Sequence, residues 1–73
     1  MEQKRAEAVI EAILFTMGDS VELSKLAEAI GASAAETKKI VDEMAKRWQE
    51  EGRGVAIIAL EDAYQMCTCA DMY

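Results

Sequence analysis

The chain has 73 residues, and its 14 acidic and 8 basic side chains give it a formal net charge of −6. With 52% hydrophobic and 30% charged residues it is typical of one globular domain, and its acidic balance disfavours binding to phosphate backbones, which requires clustered lysine and arginine. The uncharged run at residues 12–18 is far shorter than the ~20 residues that span a bilayer, and with no signal peptide before it we expect a cytoplasmic protein without a membrane segment.

The first predicted element is a helix from Met1 to Met17. Its apolar residues recur with the spacing i, i+1, i+4, i+5, i+8 and form one stripe, which consists of Val9, Ile10, Ile13, Leu14 and Met17. On a helical wheel of about 100° per residue, Ala8, Ala12 and Phe15 fall together on a different side. Phe15 either packs under a neighbouring loop or forms, with the two alanines, a contact surface for another subunit, where small side chains let a second helix approach closely.

A helix-turn-helix pattern follows this helix. Residues 19–22 form a connector in which Val21 holds the loop to the core and can add a short edge strand. A short amphipathic helix then ends at Ile30, with apolar residues at Leu23, Leu26, Ala27 and Ile30. Gly31 favours the left-handed conformation that ends a helix, and Ser33 and Glu36 have the spacing of a reciprocal capping box. The turn between the two helices is therefore predicted to be short and stiff.

The third helix is predicted from Ala34 to about Glu50, and it carries a stripe with the same spacing as the first. We expect the two stripes to face each other and Trp48 to be the costliest side chain to truncate. The predicted core framework of the three helices is Val9, Ile13, Leu14, Leu26, Ile30, Ile40, Met44 and Trp48.

A β-hairpin is predicted after the two glycines at Gly52 and Gly54. Residues 55–60 are β-branched and apolar, residues 61–63 supply a turn, residues 64–69 alternate large and small side chains, and residues 70–73 are expected to fray. The order of elements predicts a mainly α fold with a C-terminal β-hairpin. This is a winged helix-turn-helix, with three helices and a wing, over residues 1–73.

The chain offers no set of residues for catalysis, a cofactor or a metal ion. It has no histidine, no glycine-rich phosphate loop and no nucleophile with a base partner. Cys67 and Cys69 point to the same face of the predicted strand, so they are expected to be reduced, structural thiols without metal. We therefore expect a non-enzymatic protein.

The outward face of the third helix mixes carboxylates with lysines, and Glu61 and Asp62 make the tip of the wing acidic. Readers of DNA place Arg, Lys, Asn or Gln at base edges, so this charge pattern disfavours direct nucleic-acid binding. The alternative function is a small DNA-binding transcriptional regulator. Its phosphate contacts would be Lys38, Lys39, Lys46 and Arg53.

Several short segments, in this order, resemble the N-terminal part of segregation and condensation protein B, the accessory subunit of bacterial condensin. The resemblance covers nearly the whole chain and is carried by residues 11–15 with Gly18, by Leu26, Ala27 and Gly31, by residues 52–54, and by Tyr64, Met66 and Thr68.

The resemblance implies that residues 1–73 are the first of two successive winged-helix domains. It also implies a homodimer that binds the kleisin subunit and, through it, the SMC ATPase. The chain departs from the family pattern in three places: Glu22 stands where a serine cap is frequent, the wing turn lacks glycines, and Cys67 and Cys69 occupy strand positions where basic residues are common.

Overall fold

A computed structural model describes residues 2–68. Its elements in chain order are α1 (Gln3–Met17), β1 (Val21–Glu22), α2 (Leu23–Ile30), α3 (Ala34–Glu50), β2 (Val55–Leu60) and β3 (Ala63–Thr68). The predicted winged helix-turn-helix with three helices and a hairpin is confirmed. The predictions for Met1, for Cys69 and for a frayed end at residues 70–73 lie outside the described residues.

The wing is a three-stranded antiparallel sheet in the order β1-β3-β2. The connector predicted around Val21 supplies β1, which pairs with β3 so that Val21 lies opposite Tyr64. The predicted hairpin turn is one residue too long, because Ala63 pairs with Leu60 and belongs to β3. Asp62 makes the tighter turn possible, since it adopts the left-handed region with φ 58°, which Asp tolerates better than most residues.

The turn between α2 and α3 is built as its residues predict, except for one hydrogen bond. Gly31 is left-handed with φ 67°, and the Ser33 side chain accepts a hydrogen bond of 3.1 Å from the amide of Glu36. The reciprocal bond from the Ser33 amide to the Glu36 carboxylate is not formed in the described part of the chain. Thr37 reinforces the cap instead, because its amide and its hydroxyl both donate to the Ser33 carbonyl, at 2.9 and 2.8 Å.

The core lies between the three helices and the inner face of the sheet. Of the predicted core framework, the structure buries Leu14, Leu26, Ile30, Met44 and Trp48 and half-buries Val9, Ile13 and Ile40 against them. The other buried apolar side chains of this core cluster are Ala6, Ile10, Val21, Val41, Ile57 and Tyr64. The stripes of α1 and α3 thus meet in one core that also receives one fully buried side chain from each strand of the wing.

Two predictions about the end of α1 are wrong. Met17, assigned to the buried stripe, is 59% exposed, and Phe15, for which packing under a loop was one interpretation, is 66% exposed. The helix ends at the left-handed Gly18, and no loop in residues 2–68 covers these side chains. None of the three helices in the described residues is long and apolar enough to cross a membrane.

The Ser33 cap predicts a measurable loss of stability when its side chain is removed. We expect Ser33→Ala to lower the free energy of unfolding by about 0.5–2 kcal/mol, because the Glu36 amide loses its side-chain partner. Urea denaturation followed by circular dichroism measures this change. Ser24→Ala is the matched control, because its hydroxyl makes only a 3.5 Å contact with Glu22. An equal effect of the two substitutions would contradict the role of the cap.

Candidate protein interaction surfaces

The first candidate surface lies on the outer side of α1. Ala8, Ala12 and Phe15, which the sequence groups on one side of the helix, are all exposed, and we call these three residues the α1 surface. A shallow, almost wholly apolar groove adjoins it and is lined by Ala12, Ile13, Thr16 and Met17. The exposed aromatic ring stands beside small side chains, an arrangement that permits close approach of another chain.

The outward face of α3 carries a polar network that extends to the wing. The Lys38 ammonium donates to the Asp42 carboxylate at 2.8 Å, and the Tyr64 hydroxyl donates to the same carboxylate at 3.1 Å. Burial raises the pKa of Tyr64, and its hydrogen bond to Asp42 acts in the same direction. The hydrogen bond to Asp42 also raises the pKa of Lys38. The network therefore fixes β3 against α3 and directs one lysine to a carboxylate of its own helix.

The four residues of the DNA-binding alternative do not form one basic cluster. Lys38, Lys39 and Lys46 surround a shallow depression on α3 together with Asp42 and Glu43. Arg53 follows the helix, where its guanidinium donates to the Glu51 carboxylate at 2.9 Å and lies over the Trp48 ring, 4.8 Å from its centre. Carboxylates pair with Lys38 and Arg53, and Asp42 and Glu43 lie among the three lysines, a charge pattern that disfavours binding to a phosphate backbone.

The tip of the wing is attached to the start of α2, a contact that sequence reasoning missed. The amide of Leu23 donates to the carbonyl of Asp62 at 2.8 Å, which satisfies one of the unpaired amides at the helix start. Glu22 is the N-cap residue but makes no side-chain cap bond, so the wing turn replaces part of the cap function. The tip therefore does not extend freely, as a wing that enters a DNA groove would.

The outer face of the hairpin is the second candidate surface, and sequence reasoning did not single it out. Ile58 is 44% exposed and Leu60 is 46% exposed, both on β2. The signal in the sequence is the unbroken apolar run of the strand, because side chains alternate between the two faces of a sheet and both faces of β2 are therefore apolar. Only one of its two faces packs on the helices, through the buried Ile57.

The described residues hold no cluster of three or more His, Cys, Asp or Glu side chains suited to a metal ion. Cys67 is a half-buried free thiol on β3.

A family model described as segregation and condensation complex subunit ScpB matches residues 8–73. The chain belongs to the ScpB family. It is 47% identical over 73 residues to segregation and condensation protein B of Lachnoclostridium phytofermentans, a match that covers all of this chain and 39% of the relative. It is 53% identical over 68 residues to the protein of the same name from Agathobacter rectalis, covering 92% of this chain and 36% of the relative. The chain spans less than two fifths of these ScpB relatives, and the resemblance stated from the sequence is confirmed.

Two solved structures are similar to this ScpB-family chain. One is a crystal structure of a dimer of the ScpB N-terminal domain complexed with a ScpA peptide, with a TM-score of 0.85, 30% identity, and coverage of 93% of this chain and 85% of that one. The other is ScpB from Mycobacterium tuberculosis, with a TM-score of 0.90, 19% identity, and coverage of 99% of this chain and 45% of that one. The second, at this identity, supports the winged-helix fold alone.

The network of Lys38, Asp42 and Tyr64 predicts a loss of stability at alkaline pH. The pKa values of Tyr64 and Lys38 are raised above their ordinary values of 10.0 and 10.5, so folding favours the protonated form of both groups. Their contribution is complete below pH 10 and is lost as the pH rises through the raised values. We expect the free energy of unfolding to fall in that range, and chemical denaturation at pH 8 to 11.5 measures it.

Tyr64→Phe tests the part of this dependence that belongs to the phenol. At neutral pH the substitution should cost about 0.5–1.5 kcal/mol, because one hydrogen bond to a partly solvated carboxylate is lost. Above pH 10 the variant should lose stability less steeply than the parent chain. Parallel curves for the two proteins would show that the Tyr64 hydroxyl does not take part.

Proposed function

We propose that this chain is a non-enzymatic scaffold domain of the SMC–kleisin condensin complex, which self-associates, contacts a kleisin of the ScpA type and acts in chromosome condensation and segregation. In this proposal the chain acts through protein–protein contacts, and it is located in the cytoplasm, where the complex associates with the nucleoid. The observation that carries the proposal is the similarity to a dimer of the ScpB N-terminal domain in complex with a ScpA peptide, at 30% identity and over 93% of this chain.

The domain organisation is part of the proposal. Residues 1–73 correspond to the first of two winged-helix domains of a longer protein, as the family resemblance implies. The lengths of the relatives are consistent with this assignment, because the matched region makes up 39% and 36% of them. The link to the SMC ATPase then runs through the kleisin.

The α1 surface is the site that we assign to contact with a partner chain. Phe15 presents most of its ring to solvent beside two alanines, and burial of a phenylalanine side chain contributes about 1.5–3 kcal/mol. Glutamate at this position would place a charge in the contact, and a buried unpaired charge opposes association. A substitution at Phe15 therefore changes the α1 surface and leaves the buried core side chains in place.

Phe15→Glu tests this assignment. We expect it to weaken self-association, measured by sedimentation equilibrium, or capture of the ScpA chain from the same genome, measured by pull-down, by about tenfold or more. Ala29→Glu is the matched control, because it adds the same charge at an exposed position on another helix, α2. If Phe15→Glu leaves both measurements unchanged, the α1 surface is not a contact site. If the parent chain neither self-associates nor captures ScpA, the proposed function is wrong.

The DNA-binding alternative gains no support from the ion pairs at Lys38 and Arg53. We expect fluorescence anisotropy with a labelled 20-base-pair duplex to detect no salt-dependent binding at about 0.15 M salt. Binding that weakens with rising salt, and that is lost when Lys38, Lys39, Lys46 and Arg53 are replaced by alanine, would favour the regulator instead.

A further inference from the structure

We draw no further inference here: the strongest candidate, the uncharged outer face of the wing hairpin that exposes Ile58 and Leu60 on the edge strand β2, carries no proposal because nothing in residues 2–68 shows what covers it.

Discussion

The angle between α2 and α3 is the constraint on which the rest of the domain depends. Gly31 reverses the chain in a left-handed conformation, and Ser33 starts the next helix by accepting the amide of Glu36. Because the turn is this short, the apolar stripe of α3 faces α1, and Trp48 reaches the core at the far end of the helix. The opposite face of α3, which carries a mixture of lysines and carboxylates, therefore points to solvent.

Two hydrogen bonds add to the apolar packing that holds the wing on this framework. The Tyr64 hydroxyl bonds to Asp42 on α3, and the Asp62 carbonyl bonds to the first amide of α2. The second contact lies at the end of the pairing between β1 and β3, so that side of the hairpin is occupied. The outer edge of β2 is therefore the edge of the sheet that no other strand of residues 2–68 covers.

Sequence reasoning predicted the features that depend on residues close together in the chain, and it missed those that depend on contacts between residues far apart in the chain. Caps and a 3.6-residue period gave the bounds of α2 and α3, because both signals lie within a few residues of each helix end. The start of β3 at Ala63 was missed because it depends on the left-handed conformation of Asp62. The exposure of Met17 and the bond from Leu23 to Asp62 depend on tertiary placement, which no local pattern encodes. The same holds for the edge of β2, since sheet order is set by long-range pairing.

A domain of this size buries only about 60% of its unfolded surface, so apolar side chains outside the core are expected. Their distribution is informative, because the large ones exposed in residues 2–68 fall into two pairs: Phe15 and Met17 at the end of α1, and Ile58 and Leu60 on β2. The pairs lie on different elements, one on a helix and one on a strand, so residues 2–68 expose two distinct sets of large apolar side chains.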